Sequence, residues 1–155
     1  MTPLMLQDAL VEELKCLLKD YLYKTPSGEC VPMNVFAQSI PINETDDEED
    51  PIPYIIVRLN SGKDDGTRDS FNTVKLVIII GIWDGALDAQ GHRDVSNVIH
   101  KIYERFQKNP NLNGIAAYSG EFDWMLQEDN YYPFSFGACS LKFHIAAIRR
   151  EDPFV

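Results

Sequence analysis

The sequence predicts an α+β fold of two layers, a mainly antiparallel sheet of about four strands with two helices on one face. Three observations carry this prediction. Two stretches repeat apolar residues every three or four positions, as amphipathic helices do. Two pairs of strand-like stretches are each joined by turn-forming residues, with the second helix between the pairs. The 155 residues contain no internal repeat and no linker, so residues 1–155 are read as one domain.

The first helix is expected over residues 3–24. Thr2 offers a side-chain acceptor, and Pro3 occupies a first-turn position whose N–H would have no partner in any case. Leu6, Leu10, Leu14, Leu17 and Tyr21 then form one stripe, and Thr25-Pro26-Ser27-Gly28 reads as its stop. A short strand is expected at 33–38. Glu44, Asp46, Asp47, Glu48, Glu49 and Asp50 repel one another and remain solvated, so residues 43–52 are expected to form an acidic mobile loop.

From 54 to 60, Ile55, Val57 and Leu59 alternate with polar or outward residues, the pattern of a half-buried strand. A charged hairpin tip at 61–70 leads to a second strand at 71–83, apolar on both sides in its middle and therefore placed at the sheet's centre. Val95, Val98, Ile99, Ile102 and Phe106 mark a helix over 88–108 that Asn109-Pro110 closes. Strands at 115–126 and 134–148 form the last hairpin. The final strand, at about 3.3 Å per residue, is long enough to project beyond a small core.

Composition excludes several classes of function. Fourteen basic and twenty-four acidic side chains give a net charge of −10, a field that repels nucleic acid, so stable nucleic-acid binding is not expected. The longest apolar run, residues 76–83, is far below the roughly 20 residues of a membrane-spanning helix, and no membrane association is expected. Asp8, Glu12 and Glu13 near the start do not resemble a secretory signal, so the protein is expected to stay where it is made. Cys16, Cys30 and Cys139 have no metal-site or disulfide spacing and read as reduced thiols.

Candidate chemistry is sparse. His92 and His100 lie on the second helix with Asp88 and Glu104 four residues away, and His144 lies on the last strand; none forms a zinc motif. The tip does not match a calcium loop, because Lys63 falls at a ligand position and Asn72 where a bidentate Glu belongs. There is no Gly-rich phosphate loop and no nucleophile elbow, and no cofactor is expected. Charge is nevertheless concentrated: residues 41–70 hold nine acids and three bases, a net of −6. Glu44, Asp46, Asp47 and Glu48, the tip residues Lys63, Asp64, Asp65 and Arg68, and the cations Lys101, Arg105 and Lys142 are the candidate contacts to a neighbouring subunit or another protein.

An N-terminal helix, the proline-led strand Pro53-Tyr-Ile-Ile-Val-Arg-Leu59, a charged hairpin, an apolar strand ending in Ile82-Trp83 and the helix Asp94-Val-Ser-Asn-Val-Ile-His-Lys-Ile-Tyr103 follow in that order. This pattern, over most of residues 5–150, resembles the small tail-terminator or tail-completion proteins of long-tailed bacteriophages and prophages, which join head to tail. The acidic block at 44–50 is longer than that pattern. The resemblance implies a structural virion protein without catalysis, assembled in the bacterial host cytoplasm into a homo-oligomeric ring, usually a hexamer. Its implied partners are copies of itself, the tail-tube protein and the head-completion or connector protein. DNA passing such a ring would meet an anionic lining and slide without retention. Two other functions fit the residues: a small ligand-binding domain or enzyme with its site between the second helix and the sheet, using His92, His100 or His144, and an acidic adaptor recognising a basic protein through residues 44–50.

Overall fold

The computed structural model describes residues 2–42, 51–67 and 71–147. Helix α1 (Pro3–Leu18) starts as the sequence dictates, with Thr2 Oγ1 accepting from the Met5 N–H at 3.2 Å. It ends six residues before the expected stop. Leu22–Lys24 instead forms strand β1, antiparallel to β2 (Cys30–Pro32), with Leu22 opposite Pro32 and Lys24 opposite Cys30. The Thr25-Pro26-Ser27-Gly28 signal is therefore the tip of a hairpin and not a helix stop. Thr25 N–H donates to the Glu29 carbonyl at 2.8 Å, and Gly28 supplies the positive φ of +92° that the turn requires.

The main sheet contains six strands in the order β3-β4-β5-β8-β7-β6, formed by β3 (Asn34–Ala37), β4 (Tyr54–Asp64), β5 (Asn72–Trp83), β6 (Asn111–Leu112), β7 (Ala116–Leu126) and β8 (Phe134–Ile145). Helix α2 (His92–Lys108) connects β5 to β6. The expected four-stranded sheet with two helices on one face is thus corrected: strands predominate, and the sheet is mixed because β3 runs parallel to β4. Parallel neighbours need a crossover of about a dozen residues or more, and residues 38–53 supply it. The acidic block lies inside that crossover, outside the described residues.

Two boundaries also move. Helix α2 begins at His92, because residues 84–91 are taken up by turns in which the Asp84 and Asp88 carboxylates accept from the N–H groups of Ala86 and Gln90. Strand β8 stops at Ile145, and position 148 lies outside the described residues.

Strict alternation puts one side of each central strand into the core. Val74, Leu76, Ile78, Ile80 and Ile82 of β5 and Cys139, Leu141, Phe143 and Ile145 of β8 are almost fully buried. They meet Leu6, Leu10 and Leu14 of α1 and Val95, Val98, Ile102 and Phe106 of α2 in a single cluster. Gln7 is buried among them and stays satisfied, since its Nε2 donates to the Val57 carbonyl at 2.8 Å and to Gln38 Oε1 at 3.0 Å. Gln38 in turn extends β3, accepting from the Leu59 N–H at 2.9 Å. Arg105 ties the two helices together through Glu13 and also donates to the Asn109 and Asn111 carbonyls, the latter at 3.1 Å.

Candidate functional site

The other side of β4, β5, β8 and β7 carries the residues of opposite parity, half-buried on the central strands β5 and β8 and mostly exposed on β4 and β7. Pairing places them in rows. Tyr54, Gly81 and Phe136 share one row; Arg58, Val77, Ser140 and Asp123 another; Ser61, Lys75 and Lys142 the next; Lys63, Thr73, His144 and Ala117 the last. One end is therefore apolar and aromatic. Tyr54 lies across Gly81, where a Cβ would come within 2.5 Å of its ring, and Phe134 stacks on Phe136 with ring centres 6.4 Å apart.

The far end is cationic. Lys75 and Lys142 are direct cross-strand partners on the two central strands. Like charges so placed oppose strand pairing. Lys142 Nζ is relieved by Glu121 at 2.8 Å; its hydrogen bond and charge hold Glu121 below the usual carboxylate value, and Glu121 in turn lifts the Lys142 ammonium. Arg58, Lys63 and Lys75 form no ion pair with a described residue. His144 Nδ1 lies 3.2 Å from Thr73 Oγ1, and its ring packs at 5.3 Å on Phe71. Lys63, Thr73, Lys75, Glu121, Lys142 and His144 border an open groove of about 450 Å³.

The sequence-predicted contact residues scatter. Glu44, Asp46, Asp47, Glu48 and Arg68 lie outside the described residues. Lys63 and Lys142 belong to the cationic end of the open face. Asp64 and Asp65 are turned into the tip, accepting from the Gly66 and Thr67 N–H groups, each at 2.9 Å. Lys101 sits on the helical side with its ammonium 4.4 Å from the Tyr21 ring centre, and Arg105 is committed to its contacts with Glu13 and the carbonyls after α2. Lys75 and Arg58 were missed as site residues. Their outward parity was visible in the alternation, but only the strand register puts Lys75 opposite Lys142.

The three histidines occupy three separate places. His92 borders a cavity of about 310 Å³ with Asp84, Gln127 and Ser135, whereas His100 borders one of about 360 Å³ with Tyr103, Phe122 and Trp124. His144 is on the opposite side of the sheet. Among the described residues, no three His, Cys, Asp or Glu side chains converge as metal ligands. Burial pushes the Cys139 thiol up to about 12, which leaves it protonated and unreactive. No described helix is long and apolar enough to cross a membrane. No family model matches the chain, and no curated protein matches it.

The strand edges complete the picture. Strand β6 covers β7 only at Ala116 and Ala117, with the Tyr118 N–H donating to the Pro110 carbonyl at 2.8 Å. Beyond this point no described strand flanks that side of β7, and Trp124 and Met125 are about three-fifths exposed there. At the opposite edge β3 ends at Ala37, leaving the far end of β4 uncovered.

Proposed function

We propose that this chain is a structural assembly protein of the tail-terminator kind. It closes with copies of itself into a ring, usually of six, that caps a tail tube and meets the head-side connector in the neck of a virion. The observation that carries this reading is the six-stranded sheet's open face, flanked by two edges that each continue past their short outer strand. Exposed strand edges and large uncovered faces are liabilities for a protein that works alone. In a ring, each subunit presents two different surfaces to its two neighbours, and an asymmetric arrangement of surfaces supplies such a heterologous contact.

Catalysis has no part in this function. The expected result is a discrete oligomer in mass measurements across a concentration series, visible as rings by electron microscopy. A chain that stays monomeric at the highest attainable concentration, and that fails to join purified tail tubes, overturns the reading.

A further inference from the structure

We propose that neighbouring copies join edge to edge, residues 60–64 of β4 in one copy pairing antiparallel with residues 122–126 of β7 in the next, so that the main sheet runs on from subunit to subunit. The proposal rests on the self-assembly reading and states which surfaces make the contact. Strand β3 stops opposite Val57, and beyond it the Gln38 side chain stands in for a strand only as far as the Leu59 N–H. Strand β6 stops opposite Ala117, and the irregularity between Tyr118 and Phe122 separates it from 122–126. Among the described residues no strand flanks either stretch, and positions 60–64 and 123–125 are exposed. Unpaired edges of this kind are templates for a further strand.

The two gaps are complementary. They lie on opposite edges and at opposite ends: Asp64 shares a row with Asn72 and Ile145, whereas Phe122 shares one with Leu76 and Leu141, four positions farther along β5. Strands β4 and β7 run in opposite directions, because three antiparallel pairings separate them. A second copy in the same orientation, displaced by those four positions or about 13 Å, therefore lays its 60–64 antiparallel along 122–126. Strand β6 then lies beyond one end of the joint and the neighbour's β3 beyond the other. The displacement is even, so each side of one sheet continues into the same side of the next.

This register sets Lys63 of one copy opposite Asp123 of the next, and Gly62 opposite Trp124. Lys63 and Asp123 both lie on the open face, neither forms an ion pair with a described residue, and opposite charges facing across strands favour pairing. Trp124 lies on the helical side, about three-fifths exposed beside a cavity it shares with Tyr103 and Phe122. Nothing within its own chain calls for glycine at 62: its φ is outside the left-handed region, and a Cβ there would meet no atom nearer than 3.6 Å. Glycine inside a strand marks a place where another group comes close, and the joint supplies the Trp124 indole. A contact between two such different surfaces is the kind that builds rings.

The test uses the full-length chain with the exposed Cys16 and Cys30 replaced by serine, carrying Lys63→Cys and Asp123→Cys together. Within one chain these positions are three strand spacings apart, about 14 Å, beyond the roughly 7 Å that a disulfide spans, so a bond between them joins two copies. Mild oxidation is expected to give a ladder of covalent multimers ending at the ring, and a mixture of the two single-cysteine proteins to give dimers alone. Gly62→Val is expected to keep or raise the thermal midpoint, because valine favours a strand, while raising the concentration needed for assembly at least about tenfold, because its side chain collides with Trp124. Amide exchange is the second measurement: the outward N–H groups of 60–64 and 122–126 are expected to exchange rapidly in the dilute chain and to become protected on assembly. If they are already protected in the dilute chain, residues 43–50 or 148–155 of the same chain cover the edges and the proposal falls. If the unaltered protein assembles, yet no bond forms between 63 and 123 and Gly62→Val assembles normally, the contact lies elsewhere and the ring reading survives. If the unaltered chain never assembles, alone or on tail tubes, both fall.

Discussion

Leu76 and Lys75 are neighbours on one strand, as Leu141 and Lys142 are on the next, and each pair divides between the two sides of the sheet. Toward the helices, every second residue is almost fully buried and meets another apolar side chain. Away from them, the same backbone holds Thr73, Lys75, Val77, Ser140, Lys142 and His144, half-covered only by their own neighbours. The two sides share strands, register and twist, so the difference lies wholly in what the side chains were selected to touch. The helical side is shaped for packing. The open side holds a Lys75–Lys142 pair that no core would hold, with Glu121 set 2.8 Å from the Lys142 ammonium.

The largest effect separates these sides directly. Phe143 contacts Phe106 edge-on at 5.3 Å and lies 6.1 Å from Tyr118, so Phe143→Ala opens a cavity in the core and is expected to cost about 3–5 kcal/mol in denaturant unfolding. Lys142→Ala, one residue away, is expected to change stability by no more than about 0.5 kcal/mol when measured below the assembly concentration. Equal losses would dissolve the distinction between the faces.

A smaller effect sharpens it, because the same chemical change can be made on both sides. At Gly137 a Cβ would lie 2.5 Å from Val95 Cγ1 and 3.2 Å from the Met125 carbonyl, so Gly137→Ala pushes α2 from the sheet and is expected to cost about 1–3 kcal/mol. At Gly81 the obstacle is the far end of the Tyr54 side chain, a residue that is only partly buried. Gly81→Ala is expected to cost less than about 1 kcal/mol, since the ring can swing aside and alanine restricts the unfolded chain. A loss at Gly81 as large as that at Gly137 would mean that the open face is packed as rigidly as the core.

Periodicity made one side legible and left the other obscure. The stripes Leu6-Leu10-Leu14 and Val95-Val98-Ile102 and the alternation of Val74 through Ile82 name the core residues because burial enforces period. Leu22–Lys24 was read as the end of a helix because a three-residue strand is too short to show alternation, and Thr25-Pro26-Ser27-Gly28 serves equally as a stop and as a turn. The parallel partner β3 was missed as a change of sheet type, since parallel pairing leaves no local signature across a crossover of residues 38–53. Gln7 was missed because a polar residue beside an apolar stripe reads as solvated until the Val57 carbonyl is seen above it. The cationic groove depends on which residues of two strands stand opposite each other, 67 positions apart in the case of Lys75 and Lys142, whereas alternation alone fixes only the face each residue takes.

The smallest expected effect sets a carboxylate on each side against the other. Asp94, in the first turn of α2, is held above the usual carboxylate value by burial and then by the nearby Asp84 charge. Its folded form therefore favours the protonated state, and its contribution to stability is lost as pH rises through the raised value. Glu121, on the open face, is held below the usual value by its hydrogen bond and charge contact with Lys142, so its contribution is present above the unfolded value and lost as pH falls through the lowered one. Thermal midpoints followed across the acidic range should thus respond in opposite senses. Asp94→Asn is expected to flatten the decline just above the ordinary carboxylate range, whereas Glu121→Gln is expected to soften the loss just below it. Salt discriminates further: added salt screens the exposed Glu121–Lys142 pair and erases the second effect, while desolvation of Asp94 is not screened and the first persists. A Glu121 effect that survived high salt would mean that the open face excludes solvent even in the single chain, contrary to the exposure of the Glu121–Lys142 pair.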